Sequence, residues 1–168
     1  MKFNYSALKA IYLHEMDRFR RTLLQSLLSP VLSTSLYFIV FGSVIGGYVE
    51  KIDGISYGSY IVPGLLMLTL LTQSITNTSF GIFFPKFNGT IYEILAAPIS
   101  TFEIVLAFVG AGASKTLLVG IVIFITATFF VEVNVKYPLL VFFLLILVAF
   151  TFALFGFLIG LMSSNFEQ

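Results

Sequence analysis

Thr22 to Val49 contains no charged side chain, and neither does Gly54 to Pro85. A third run, Thr101 to Val131, holds only Glu103 and Lys115, and a fourth, Tyr137 to Met162, holds none. A helix that crosses a bilayer core needs ~20 predominantly apolar residues. Four runs of that length predict an all-α membrane protein. Hydrophobic residues make up 58% of the chain and charged residues 10%, with a mean hydropathy of +1.03. A soluble domain carries about 25% charged residues, so this chain has too few to cover a surface facing water.

The spans are expected at 27–47, 60–83, 101–131 and 137–162. Pro30 falls near the start of the first, where a missing amide N–H costs little. Pro63-Gly64 predicts a weak or kinked start to the second. The third is longer than a bilayer needs and is expected to tilt, break or extend past the surface. Glu50, Lys51, Asp53 and Gly54 form one short polar turn, and Glu132 to Lys136 another. Ahead of the spans, Leu8, Ile11, Tyr12, Met16, Phe19 and Leu23 recur at spacings of three and four, which puts them on one helical face. Lys9, His14, Glu15, Asp17, Arg18, Arg20 and Arg21 take most of the remainder. Residues 5–25 therefore read as an amphipathic helix in the membrane interface, with its arginines toward lipid headgroups. Charges that persist for ~20 residues before the first apolar run are unlike a signal peptide. Lys2, Lys9, Arg18, Arg20, Arg21 and Lys86 fall on one side of the membrane and Lys51 and Lys136 on the other. Basic residues collect on the cytoplasmic side, so the N-terminus is expected there.

Several functions are set aside by composition. A formal net charge of +1 gives no electrostatic footprint for nucleic acid. There is no cysteine, hence no disulfide, cysteine metal site or thiol catalysis. No nucleophile–base pair or metal cluster stands out, so the chain is read as non-catalytic. Asn77 and Asn88 begin Asn-x-Ser/Thr matches, but one lies in a span and the other in a loop expected to be cytoplasmic; both are read as chance.

Within the spans, Thr69, Thr72, Gln73 and Thr76 fall at i, i+3, i+4 and i+7, and Ser74, Asn77, Thr78 and Ser79 thicken the stripe. Facing lipid, the two amides would be unpaired. The stripe is expected to face protein or a water-filled path, as part of a translocation route or as ordinary interhelical hydrogen bonding. Lys115 is the one charge deep in an apolar run, and such a charge is a functional candidate. Its alternative is a lysine that snorkels or bonds backbone carbonyls. Glu103 lies 12 residues earlier, ~18 Å along a helix, too far to pair directly. Gly110-Ala111-Gly112-Ala113-Ser114-Lys115-Thr116 looks like a phosphate-binding loop but has Val109 and Ser114 where that motif needs glycine. Its small residues, Gly120, and the pairs Gly42/Gly46 and Gly156/Gly160 instead allow helices to pack closely.

The polar interval Lys86 to Ser100 opens with the turn residues Asn88-Gly89 and closes at Pro98. Between them Ile91, Ile94 and Leu95 form an apolar edge, with Tyr92 and Glu93 outside it. A helix of about two turns is marginal alone and needs a surface to rest on. The interval reads either as a connector or as a short helix, 88–98, that docks a soluble partner.

Taken together, Glu15-Met16-Asp17-Arg18-Phe19-Arg20-Arg21, Leu24-Gln25, Pro30, Leu36-Tyr37-Phe38-Ile39-Val40-Phe41-Gly42, Tyr60-Ile61-Val62-Pro63-Gly64 and above all Glu93-Ile94-Leu95-Ala96-Ala97-Pro98-Ile99 resemble the permease subunits of ABC-2 type exporters. The likeness is to the bacterial multidrug or carbohydrate exporter branch and covers essentially the whole chain. It implies an interfacial N-terminal helix and a cytoplasmic coupling helix between spans two and three. Gly89, Thr90, Tyr92, Glu93, Leu95 and Pro98 would meet a separate ATP-binding subunit. It also implies that ATP and magnesium are bound by that partner and not by this chain, that a second permease copy completes the path, and that the site of action is the bacterial cytoplasmic membrane. The family's usual six spans imply two more beyond Gln168. A secondary transporter, or a non-transporting scaffold or truncated subunit, is the alternative. A secondary transporter would favour paired intramembrane carboxylates, which the spans lack. The substrate is not legible: 20 Phe and 8 Tyr suit lipid contact and apolar cargo alike.

Overall fold

The computed structural model describes residues 3–45, 51–52, 54–133 and 135–163. The chain order is α1 (Tyr5–Arg21), α2 (Leu23–Tyr37) continued by a π-helical stretch (Phe38–Ile45), a minimal antiparallel pair β1 (Lys51–Ile52) and β2 (Ile55–Ser56), α3 (Tyr57–Phe87), α4 (Ile91–Ala96), α5 (Thr101–Phe130) and α6 (Pro138–Met162). Four helices are long and apolar enough to cross a membrane: Leu23–Phe41, Tyr57–Phe87, Thr101–Phe130 and Pro138–Met162. The fold is that of an all-α membrane protein. At 1.5 Å per residue, α3 and α5 are each roughly 45 Å long, against a hydrocarbon core of ~30 Å. Each therefore carries about ten residues beyond the core.

The first span begins earlier than expected. Thr22 separates α1 from α2, so the N-terminal helix ends at Arg21 and not at residue 25. Leu23, expected on the apolar face of the N-terminal helix, instead starts α2 and is exposed. Pro30 consequently lies inside α2, buried, and not at its first turn. Pro63 likewise falls within α3, which starts at Tyr57 behind the N-cap Ser56. Gly46, and with it the Gly42/Gly46 pair, lies outside the described residues.

Helix α5 is the post of the bundle. It packs against α1, α2, α3 and α6. Its small side chains set how near those neighbours come. A Cβ on Gly112 would sit 1.9 Å from Thr78 Oγ1, and one on Gly120 would sit 2.9 Å from Leu70 Cδ2. Helices α3 and α6 meet backbone against backbone. A Cβ on Gly156 would lie 2.5 Å from the Ile75 carbonyl oxygen, and one on Gly160 would lie 2.6 Å from that of Ser79. Backbone faces backbone there, which is what small residues four apart permit. Ser74 Oγ adds a bond to the Ala149 carbonyl (3.1 Å), buried at the same seam.

The apolar core follows these contacts. Ile82, Ile104, Phe108, Val109, Ala113, Ala149, Ala153 and Phe157 form one cluster of α3, α5 and α6 side chains. Phe19, Val119 and Ile123 join α1 to α5. Phe38, Val62 and Ala127 close the end where α3 and α6 begin. A span almost without polar residues can face lipid or fill a bundle core; most of α6 faces outward.

Because the obstructing atoms at Gly160 include backbone, Gly160→Leu cannot be absorbed by a rotamer change. It is expected to lower stability by about 1–3 kcal/mol. Gly64, with nothing within 4 Å of its Cβ position, is expected to accept alanine without loss. Reversible denaturation of the two variants in mixed detergent micelles distinguishes them.

Candidate functional site

The first site centres on Lys115. It lies in α5, 3% exposed, and its Nζ is 2.7 Å from Glu15 Oε2 on α1, a residue 2% exposed. Arg18 Nη2 donates to the same oxygen at 2.7 Å, and its guanidinium lies over the Phe84 ring of α3, 5.9 Å from the centroid. Gly81 of α3 leaves room for the carboxylate: a Cβ there would be 3.4 Å from Glu15 Oε2. Three helices thus meet at one carboxylate. Glu15 was expected among the charges that take the remainder of α1, off its apolar face; instead it occupies the packed face between Ile11, Tyr12 and Phe19. The correction has a physical cause. A lysine buried in an apolar helix needs a counter-charge, and among the described residues the carboxylate that pairs with it is Glu15 on α1. The cue in the sequence was that Glu15 continues the spacing of Leu8, Ile11, Tyr12 and Phe19.

The rest of α1 follows the same line. Tyr12 Oη bonds Ser114 Oγ at 3.0 Å. At the N-terminus, Asn4 Oδ1 accepts the Ala7 N–H at 3.2 Å and caps α1, while its Nδ2 donates to the Pro98 carbonyl at 3.3 Å. The backbone N–H of Asn4 donates to Glu103 Oε1. Glu103 also completes a capping box on α5 with Ser100 (2.7 and 3.3 Å). So α1 runs alongside α5 from Glu103 past Ser114 and Lys115 to Val119.

The second site is α4. Asn88 caps α3, and Gly89 takes φ +79°, a left-handed turn for which glycine is suited. Thr90 precedes the helix, and Pro98 follows two residues after Ala96. Six residues cannot form a stable helix alone; Ile91 and Ile94 pack on the core and hold it. Tyr92 (73% exposed), Leu95 (61%) and Glu93 point away from the bundle. Leu95, expected on the apolar edge with Ile91 and Ile94, therefore belongs to the open side with Tyr92.

The polar stripe of α3 forms a third group. Thr72 and Thr76 are exposed, and Thr69, Gln73 and Asn77 half-buried. Asn77 Nδ2 donates to Gln73 Oε1 (3.3 Å), and the Thr69 and Thr72 hydroxyls donate to the carbonyls of Leu65 and Leu68 (2.8 and 2.9 Å). The face of α3 turned to α5 and α6 is Val62, Leu66, Leu70, Ser74 and Thr78, each four residues on. Lys115 is not brought to the stripe; it is buried among α1, α3 and α5. At the end of the bundle opposite α4, a cleft of about 1660 Å³ is lined by Phe38, Tyr57, Tyr60, Phe124, Phe130 and Tyr137, among others.

Removal of one partner from a buried pair leaves an uncompensated charge, which costs about 3–5 kcal/mol. Glu15→Ala leaves Lys115 bare, whereas Lys115→Met leaves Glu15 with Arg18. Glu15→Ala is therefore expected to lose more stability than Lys115→Met, and the double variant less than the sum of the two. Denaturant titration of the four proteins in micelles measures this.

The chain matches the ABC-2 type transporter family over residues 6–168. It is 38% identical over its full length to the inner membrane transport permease YadH of Escherichia coli K12, and to proteins of the same name in Escherichia coli O157:H7 and Shigella flexneri. It spans 66% of the length of those relatives. No solved structure gives a significant match. With helices suited to cross a membrane four times and a family match that runs almost end to end, the chain belongs to the ABC-2 type transporter family and is a multi-pass membrane protein.

Proposed function

We propose that the chain is part of the permease subunit of an ATP-driven exporter in the bacterial inner membrane, with its N-terminus cytoplasmic. It carries the coupling helix on which a separate ATP-binding subunit rests. The observation that carries this reading is the two-sidedness of α4. Ile91 and Ile94 are held by the core, while Tyr92, Glu93 and Leu95 are turned out at the joint between two spans. A mere connector has no reason to hold a tyrosine and a leucine in water. A soluble partner that covers them gains apolar burial, and its displacement is delivered to α3 through Gly89 and to α5 through Pro98. Gly89, Thr90 and Pro98 fix the pose of the helix, and Tyr92, Glu93 and Leu95 make the contact.

ATP and magnesium belong to the partner subunit; this chain contributes no catalytic group. Cargo moves outward between two permease copies. The stripe Thr69, Thr72, Gln73, Thr76 and Asn77 lines that path: its open side would otherwise put amides and hydroxyls against lipid, which is costly. The match to proteins called inner membrane transport permeases supports the reading.

The test is recovery of an ATP-binding subunit on affinity purification from membranes of cells that co-express a candidate ABC-type ATPase. The parent chain is expected to retain it, and Glu93→Arg with Leu95→Asp to lose most of it at unchanged permease level. Equal recovery with both would reject α4 as the docking element. No recovery with either this chain or one extended past Gln168 would reject the exporter class.

A further inference from the structure

Lys86 has no part in the sites above. It stands at the end of α3, next to the turn that leads into α4. Its Nζ donates to the carbonyls of Leu161 (2.6 Å) and Ser163 (2.7 Å), at the end of α6. The last carbonyls of a helix have no partner within it and carry the negative end of its dipole. An ammonium has three donors to offer them. Ser163 itself is buried; its N–H and hydroxyl both donate to the Ile159 carbonyl (2.9 Å each), and its own carbonyl accepts from Lys86. The backbone of Lys86 has a second task. Its carbonyl accepts the Gly89 N–H (3.4 Å), closing the left-handed turn from which α4 starts. The neighbouring Pro85 carbonyl accepts Thr90 Oγ1 at 3.4 Å.

We propose that Lys86 is a positioning residue that couples α4 to the cytoplasmic end of α6. Its main chain anchors the turn into α4 while its side chain holds the last carbonyls of α6. A displacement of α4 then reaches α6 directly, besides the spans it adjoins in sequence. The backbone contact of Gly156 and Gly160 with Ile75 and Ser79 keeps α3 and α6 together above that point, so the two helices move as one body. The functional meaning of this link rests on α4 being the element that receives the partner. The mechanical link is tested without one.

Amide hydrogen exchange of the chain in lipid nanodiscs reads the two ends separately. Lys86→Met is expected to speed exchange roughly tenfold, the effect of losing a charge-assisted hydrogen bond, both at 159–163 and at 91–96. Lys86→Arg restores slow exchange at both. A simple cap on α6 would loosen 159–163 alone. Gly89→Ala strains the turn from the other side. With Lys86 present it is expected to speed exchange at 159–163; in the Lys86→Met background it adds nothing there. Acceleration confined to 159–163, acceleration spread evenly over all four spans, or an effect of Gly89→Ala on α6 that ignores residue 86 would each overturn the proposal. Loss of partner binding by the α4 variant is a different readout, so failure of the coupling-helix reading leaves this result standing, and the reverse.

Discussion

A lysine buried in an apolar helix must be matched, and the match between Lys115 and Glu15 determines where α1 lies. Either charge alone would be costly in that setting. Together, with Arg18 on the same carboxylate, they fix α1 along α5 and over α3. The pair needs space as well as charge. Gly81 opens α3 beneath the carboxylate, and the small residues Gly110 to Ser114 let α1 and α3 approach α5 from two sides. The cluster that resembles a phosphate-binding loop is thus a junction of helices. Its glycines serve close approach, and its lysine serves an ion pair.

Two devices extend from that junction to the end of the bundle that carries α4. Glu103 and Asn4 join the start of α1 to the start of α5 and to Pro98, just past α4. Lys86 joins the end of α3 to the end of α6. Helix α4 sits between these two joints, with its polar and aromatic side open. Whatever rests on α4 therefore addresses α3 and α6 through one joint and α1 and α5 through the other. On the proposed function, that convergence is what would carry a partner's displacement into four helices at once.

Fold class and the existence of four spans were legible in the sequence because both rest on run length and charge, which depend little on tertiary context. The Gly156/Gly160 seam was legible for a similar reason: small residues four apart have few uses in an apolar helix other than close packing. What pairs with Lys115 was not. The partner is 100 residues away in sequence, on a helix whose charges look alike until one sees that Glu15 shares the spacing of the apolar residues. Thr22 as a break was hidden too, since no proline or glycine marks it. The polar stripe of α3 was legible as a stripe. Which side it faces was not: Ser74 and Thr78, expected to thicken the stripe, belong instead to the inward row with Leu66 and Leu70, which is equally periodic.

The most direct measurement is the distance from the Lys115 ammonium nitrogen to the Glu15 carboxylate, by solid-state NMR on labelled chain in lipid bilayers, with Lys115→Met to assign the signal. A strong nitrogen–carbon dipolar coupling, as befits an Nζ–Oε2 distance of 2.7 Å, is the expected result. Such a coupling would place α1 against α5 in the membrane. A Lys115 ammonium coupled instead to water or lipid phosphate, with no carboxylate nearby, would contradict it and return α1 to a helix lying apart in the interface.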